Sequence, residues 1–161
     1  RDINRSVIHY SDLKQELRNP EFRVSQMISQ LGRLLDVRTS NKAFHPNGDQ
    51  KVFQLDPAIF ALLRISPDCE QHILTLTNVT SQSCQVSIPL DSLGVTGSYT
   101  PAEPHSNMNS RPFCAIPQDN YWYDLLGRRG WQIVNHRLTV TLAAYDVAWL
   151  IPLIELEQMI E

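Results

Sequence analysis

The hydrophobic pattern of this chain changes its period once, near residue 45, and that change constrains the fold more than any other feature. Before it, large apolar residues recur at spacings of three and one, which place them on one face of a helix. After it, short runs of apolar and β-branched residues are separated by turn signals, as in strands. The sequence therefore predicts two domains, a helical segment at 1–45 and a β domain at 46–161.

The helical segment contains two predicted helices. Ser11-Asp12 begins a short helix that ends at Arg18, and Asn19-Pro20 repeats the start signal, with Asn as N-cap and Pro at the first helical position. The second helix runs to about Arg38 and carries an apolar stripe on one face: Val24, Met27, Ile28, Leu31, Leu34 and Leu35. Because a lone amphipathic helix gains too little from propensity to be stable in water, we expect the stripe to pack on the following domain or on a surface outside this sequence.

The β domain is predicted as a series of short strands joined by tight turns. The strands are expected at 51–55, 59–65, 72–79, 84–88, 121–126, 137–142 and 145–151, with room for an eighth. The third and fourth alternate apolar and polar residues, so each should bury one face and expose the other. Turns recurring about every 8–12 residues are typical of an antiparallel β-sandwich of about 100 residues. Residues 91–120 are expected to form a long irregular loop, and 153–161 a short helix or a frayed end.

Composition excludes several classes of function. A net charge of -3, with basic and acidic residues spread along the chain, offers no concentrated basic face for nucleic acid. No apolar run approaches the roughly 20 residues that a membrane-spanning helix requires. Three cysteines at irregular spacing, Cys69, Cys84 and Cys114, are expected to be unpaired thiols, which favours a reducing cytoplasm.

The residues that could form a catalytic or metal site are scattered along the sequence. Six carboxylates lie at predicted turns and loops, where turn formation or solvated charge is their expected role: Asp56, Asp68, Glu70, Asp91, Glu103 and Asp124. The five histidines are too far apart for a metal site, and no phosphate-binding glycine loop or nucleophile elbow is present, so no metal or cofactor is expected. The sequence shows no self-contained active site and is predicted to be the tail of an enzyme.

Aromatic residues cluster at 121–123 and at Trp131, and two interpretations stay open. Exposed rings stack on sugars, which makes Trp122 and Trp131 candidate stacking residues of a carbohydrate-binding module. Large rings also bridge the two sheets of a small sandwich, which would place them in the core, as is expected for Trp149. His45-Pro46-Asn47-Gly48 is expected to form a tight turn at the domain junction.

Three segments resemble a known family. Residues 42–48, Lys-Ala-Phe-His-Pro-Asn-Gly, together with the preceding helix and the opening Arg-Asp-Ile-Asn-Arg, resemble the end of the catalytic domain in the sucrose phosphorylase group of glycoside hydrolase family 13. The closing Ala-Tyr-Asp-Val-Ala-Trp-Leu at 144–150 is similar to the ending of that group's C-terminal β domain, although Ala144 stands where the family often has proline. Tyr-Asp-Leu-Leu at 123–126 resembles its late strand.

The resemblance implies a fold and a function. The helices at 1–45 would be the last helices of a (β/α)8 barrel, and the β domain would be the α-amylase-type C-terminal domain. The parent would be a retaining enzyme that transfers a glucosyl unit between sucrose or a related glucoside and phosphate, with both catalytic carboxylates upstream. Arg1 or Arg5 would meet phosphate or the leaving sugar at the acceptor site. The chain alone would be inactive, its partner would be the missing barrel, and the β domain could help form a homodimer. The alternatives are a stand-alone carbohydrate-binding module and a structural or oligomerisation domain.

Overall fold

The computed structural model describes residues 9–94, 116–117 and 119–158. The chain divides into two compact units, Arg1–Thr39 and Ser40–Glu161. In the described residues, the first unit is helical and the second contains the strands. No helix in the described ranges combines the length and the hydropathy needed to cross a membrane.

The helical unit contains α1 (Tyr10–Arg18) and α2 (Arg23–Thr39). Asn19 caps a turn between them, because its side-chain oxygen accepts the N–H of Glu21 at 3.0 Å and its backbone oxygen accepts the N–H of Phe22 at 3.1 Å. This turn delays α2, which begins after the predicted start at Pro20.

The apolar stripe of α2 is exposed to a large extent. Met27 is 63% exposed, and Ile28, Leu31 and Leu35 are about half-exposed, at 50%, 54% and 51%. An amphipathic helix of this kind owes its stability to the burial of its apolar face. This apolar stripe therefore requires a packing partner in addition to the contacts that it makes within its own unit.

Within its described residues, the β unit has eight strands and two short α-helices. The strands are β1 (Asp49–Asp56), β2 (Ile59–Ile65), β3 (His72–Asn78), β4 (Cys84–Pro89), β5 (Tyr121–Asp124), β6 (Arg129–Val134), β7 (Arg137–Leu142) and β8 (Val147–Pro152). The helices are α3 (Leu90–Leu93) and α4 (Leu153–Gln158), and a 3-10 helix, Lys42–Phe44, precedes β1. Paired strands are antiparallel, in the order β1-β2-β3-β8-β5-β6-β7-β4.

The predicted sandwich takes the form of one nearly closed sheet. Strand β6 pairs with β5 through its first half and with β7 through its second half, so the two layers are continuous. The two edge strands, β1 and β4, approach one another, and the ammonium of Lys51 donates to the backbone oxygen of Ser92, just after β4, at 3.2 Å. No backbone ladder joins β1 to β4 in the described residues, so the sheet is nearly but not fully closed.

The core fills the inside of the curled sheet. Alternate residues of β2, β4 and β7 point inward and are almost fully buried, as the patterns of Ile59–Ile65 and Arg137–Leu142 show. Trp122 is the largest fully buried side chain, at 1% exposure. Burial of this alternating apolar set is what selects the strand register, because a shift by one residue would turn the set outward.

A second, smaller apolar cluster lies on the outer face of the sheet. It joins the 3-10 helix and α4 to β3, β5 and β8 and consists of Ala43, Phe44, Ile73, Tyr123, Leu125, Trp149, Ile151 and Leu156. As a result β3 is buried on both faces, whereas the sequence predicted that one face would be wet. The prediction failed because the covering segments, residues 42–44 and 153–158, are distant in sequence from β3.

Two further predictions needed correction. Arg129 and Gly130, which end the Gly-Arg-Arg-Gly sequence at 127–130 that is typical of a turn, begin β6, a strand that was not placed from the sequence. The predicted loop at 91–120 begins with α3, and its central part lies outside the described residues.

Cys69 is disulfide-bonded, against the expectation of an unpaired thiol, whereas Cys84 is free as expected. Cys114 lies outside the described residues. A disulfide at Cys69 does not support the expectation of a reducing compartment.

Candidate functional site

The predicted phosphate-binding residues, Arg1 and Arg5, lie outside the described residues. Their role as an acceptor-side arginine stays a prediction. The site residues that the structure does describe are the tryptophans of β5 and β6 and the charged groups around them.

The two candidate stacking residues occupy different environments. Trp122 is 1% exposed within the core, so no face of its ring is open to a sugar, and the stacking role is wrong for this residue. Trp131 is half-buried, and the guanidinium of Arg129 lies 5.1 Å from its ring centre in a cation–π contact. The indole N–H groups of both tryptophans are buried and find no acceptor in the described part of the chain.

The carboxylate of Asp124 connects the end of β5 to strand β8. Its carboxylate is fully buried and accepts the backbone N–H groups of Leu126 at 3.1 Å and Trp149 at 3.2 Å, while the Nε of Arg129 donates to it at 3.3 Å. Arg129 also donates to Asp146 at 3.1 Å. Asp124 therefore forms the turn after β5, as expected, but it also binds β8 and is fully buried, so the alternative of a solvated charge is wrong.

A buried histidine and glutamate attach α4 to the sheet. Glu155 accepts the backbone N–H of His72 at 2.7 Å with one oxygen and contacts Nδ1 of the same residue at 2.7 Å with the other. Both side chains are almost fully buried, at 1% for His72 and 4% for Glu155. The contact assigns the proton to Nδ1. Nε2 of His72 is buried and without a hydrogen-bond partner in the described part of the molecule.

A pocket of about 300 Å³ opens beside this pair, and its lining is polar: Ser40, Lys42, Glu70, Gln71, Glu155 and Gln158. It is at the small end of the range for ligand sites. Its one deeply buried carboxyl, that of Glu155, already uses both oxygens on His72. The pocket therefore offers no buried carboxyl that is free to act on a ligand.

Ionic contacts at the rim of the pocket hold the domain's entry segment. The ammonium of Lys42 lies 3.0 Å from Asp68 and 2.9 Å from Glu70. The hydrogen bonds that Lys42 donates, first to Glu70 and then to Asp68, raise the pKa of Lys42. The Ser66 hydroxyl first, and Lys42 second, hold the pKa of Asp68 well below its usual range. These groups are largely exposed, so they act as a solvated structural clamp.

The predicted tight turn at 45–48, called here the junction turn, is present, and it lies just inside the β unit, which begins at Ser40. The N–H of Gly48 donates to the oxygen of His45 at 2.9 Å, and the N–H of Asn47 donates to Nδ1 of His45 at 3.1 Å. A Cβ at Gly48 would lie 2.4 Å from the backbone oxygen of Ile65, so only glycine fits. Arg64 braces the same turn by donating to the oxygens of Ala43 and His45.

Within residues 9–94, 116–117 and 119–158, no group of three or more histidine, cysteine or carboxylate side chains could hold a metal ion. Among the buried polar residues that the sequence did not indicate are three ionisable ones, Asp124 and the pair His72 and Glu155. Glu155 is flanked by Ile154 and Leu156 in an otherwise apolar segment, which was the one available signal.

Comparison with known proteins identifies relatives among carbohydrate-active enzymes. The chain is 29% identical over 157 residues to glucosylglycerate phosphorylase from Spirochaeta thermophila, covering 94% of this chain and 23% of the relative. Glucosylglycerate phosphorylase from Allomeiothermus silvanus is 29% identical over 87 residues, covering 54% of this chain and 15% of that protein. The chain thus spans about a quarter or less of the curated relatives that it matches. No protein-family model matches the sequence.

Solved structures share the fold. The α-amylase from H. orenii aligns with a TM-score of 0.51 at 15% identity, over 86% of this chain and 22% of that one. An Anoxybacillus α-amylase aligns with a TM-score of 0.53 at 12% identity, over 83% and 24%. These values show the fold alone, and they confirm the expectation of a mainly β domain similar to α-amylase C-terminal domains. The origin of α1 and α2 in a barrel stays a prediction.

Proposed function

We propose, from its homology to the glucosylglycerate phosphorylases of glycoside hydrolase family 13, that this chain is the C-terminal portion of a glycoside phosphorylase. The observation that carries the proposal is 29% identity over 94% of the chain to a relative of which it spans 23%. This homology confirms the family resemblance that the sequence suggested. In this proposal the catalytic residues lie in the remaining three quarters of the parent.

The reaction proposed for the parent is phosphorolysis of a glucoside, with glucosylglycerate the first substrate to test. The glycosidic C–O bond breaks, a phosphate oxygen bonds to the anomeric carbon, and the products are glucose 1-phosphate and the released acceptor. A retaining mechanism requires two carboxylates about 5–5.5 Å apart across the bond. The two buried carboxyls of the described residues, Asp124 and Glu155, have their oxygens in structural hydrogen bonds. The proposal therefore places the reacting pair upstream.

The structural role proposed for this portion is to cover and stabilise a catalytic barrel. The half-exposed stripe of α2, with Met27 and Leu31 at its centre, supports this role, because apolar residues on a helix require a partner surface. The last helices of a (β/α)8 barrel present such a face to the barrel strands. In this proposal α1 and α2 are those last helices, and the β domain is an accessory domain.

Arg1 and Arg5 are proposed to bind phosphate in the parent. A guanidinium donates two parallel hydrogen bonds to phosphate oxygens, which a lysine does not reproduce. Replacing the functional arginine by Lys in the parent enzyme should raise KM for phosphate by about 10-fold, a loss of about 1.4 kcal/mol. Arg23→Lys, at an exposed position of α2, is the matched control and should leave KM unchanged.

The decisive experiment compares the full-length parent with the 161-residue chain. Each is incubated with phosphate and either glucosylglycerate or sucrose, and glucose 1-phosphate is quantified. The parent should release glucose 1-phosphate from glucosylglycerate, and the chain alone should release none from either glucoside. Release by the isolated chain would contradict the proposal, as would a folded parent that is inactive on both glucosides.

A further inference from the structure

The outer face of the sheet carries a continuous apolar area, called here the outer patch. Strand register places Val52 opposite Leu62, Leu62 opposite Thr75, and Thr75 opposite Trp149, which forms one row across four strands. A second row, two residues along, joins Phe60, Thr77 and Val147. Because side chains two residues apart share a face, the two rows are adjacent on the same side of the sheet. The outer patch consists of Val52, Phe60, Leu62, Thr75, Thr77, Val147 and Trp149.

The outer patch lacks charge and is partly open to solvent. Val52 is 59% exposed and Phe60 is 51% exposed. The next outward residue of β2 is Arg64, whose guanidinium is directed to the junction turn, donating to the oxygens of Ala43 and His45 at 3.2 and 3.0 Å. An antiparallel strand that faces water usually alternates apolar and polar residues, whereas β2 is apolar from Ile59 to Leu63, as in strands buried on both faces.

Half of this outer face is already covered. The 3-10 helix and α4 bury Ile73 and Ile151, and Phe44 packs against Trp149 with ring centres 4.5 Å apart. The covering residues of the 3-10 helix and α4 reach as far as Trp149, which is also the first residue of the outer patch. Since residues 42–44 lie on the outer face immediately before β1, the polypeptide enters the β unit from this side.

We infer that the outer patch is the surface on which the remainder of the parent enzyme, outside these 161 residues, packs against the β domain. This inference rests on the proposed function. Two observations select this occupant: the chain enters over the same face, and it spans only 23% of its relative, so most of the parent is available to cover the patch. Packing there would extend the small outer cluster into an interdomain interface.

Hydroxyl-radical footprinting tests the inference directly. The modification rate of Phe60 is measured by mass spectrometry in the 161-residue chain and in the full-length parent, with His136, an exposed residue in the turn between β6 and β7, as the internal control. We expect Phe60 to react at least about 5-fold more slowly in the parent while His136 is unchanged, because burial removes the ring from solvent. Equal rates for Phe60 in both proteins would overturn the inference.

A matched pair of substitutions provides an independent measurement. Phe60→Glu and Val134→Glu both replace a large apolar residue that is more than half-exposed, one in the outer patch and one on β6. In the 161-residue chain each should move the melting temperature by less than about 2 °C. In the parent, Phe60→Glu should lower it by about 4 °C or more beyond the effect of Val134→Glu. Equal effects of the two substitutions in the parent would contradict the inference.

The outcomes separate this inference from the proposed function and from self-association. If Phe60 is protected in a parent that shows no phosphorolysis, the interface stands and the proposed reaction fails. If the parent is active but Phe60 is unprotected, the reaction stands and the interface fails. Protection of Phe60 in the isolated chain that increases with protein concentration would overturn the inference in favour of a second copy of the chain.

Discussion

The pair His72 and Glu155 makes a specific prediction about how the C-terminal helix is held. One side chain on α4, that of Glu155, provides the acceptors for two donors of His72 on β3, the backbone N–H and Nδ1, each at 2.7 Å. Both residues are nearly inaccessible to water. Glu155→Ala therefore leaves two buried donors without an acceptor and removes the attachment of α4.

The expected magnitude follows from the cost of unsatisfied buried donors. Each costs about 1–3 kcal/mol, and because a released α4 would admit some water, we expect Glu155→Ala to lower the free energy of unfolding by about 2–4 kcal/mol. Glu155→Gln keeps the side-chain shape and one acceptor oxygen, so it should cost about half as much. Glu157→Ala, on the exposed side of the same helix, is the matched control and should stay within about 0.5 kcal/mol of the unmodified chain.

The assay is urea unfolding followed by tryptophan fluorescence. All three tryptophans lie in the β unit, so the signal reports that unit alone. A shift of the midpoint at constant m-value gives the stability change. Amide exchange of His72 should accelerate in Glu155→Ala and remain unchanged in Glu157→Ala. A Glu155→Ala variant as stable as Glu157→Ala would refute the reasoning.

Two further predictions concern the junction turn and the rim cluster. Gly48→Ala should destabilise the β unit by about 1–3 kcal/mol, because its Cβ would lie 2.4 Å from the oxygen of Ile65, whereas Gly32→Ala in α2, with nothing within 4 Å, should stabilise the helix by about 0.5–1 kcal/mol. Thermal unfolding of both variants checks this, and equal effects would contradict it. The pKa of Asp68 is lowered in the folded state, chiefly by Ser66, so its contribution is present above the unfolded pKa of about 4 and is lost as pH falls below it. Asp68→Asn should therefore cost up to about 1 kcal/mol at pH 6 and progressively less below pH 4, and a pH-independent difference between the urea midpoints would contradict this.

Local chemistry made part of the fold predictable. The strands at 59–65 and 137–142 match their predictions residue for residue, and those at 72–78 and 84–89 differ by one residue at one end, because strong alternation or apolar runs lie between clear turn signals. The tight turn before β1 was predicted from its Pro-Asn-Gly composition, but neither Asn47 nor Gly48 has a positive φ, and glycine is required at 48 because of its close approach to the backbone oxygen of Ile65. The strand at 129–134 was missed because its Arg-Arg-Gly opening has the composition of a turn.

The candidate site was predicted less well, because burial there depends on distant segments. Trp122 and Trp131 have the same chemistry and lie on paired strands, opposite one another in register, yet one is fully buried and the other is half-buried beneath Arg129. Asp124 has the sequence context of a turn residue, and only the arrival of β8 supplies the Trp149 N–H that makes it a buried structural carboxylate. No local pattern encodes either fact.

By itself, the sequence determined the change from helix to strand, the positions of most strands, the glycine at the junction and the family resemblance, since each depends on residues that are close together in the chain. Tertiary structure decided the rest: that the sheet curls until β1 and β4 approach, that α4 and the 3-10 helix close over β3, and that His72 meets Glu155 across 83 positions. These contacts arise because an apolar face must be covered and a buried donor must find an acceptor, wherever in the chain the partner lies.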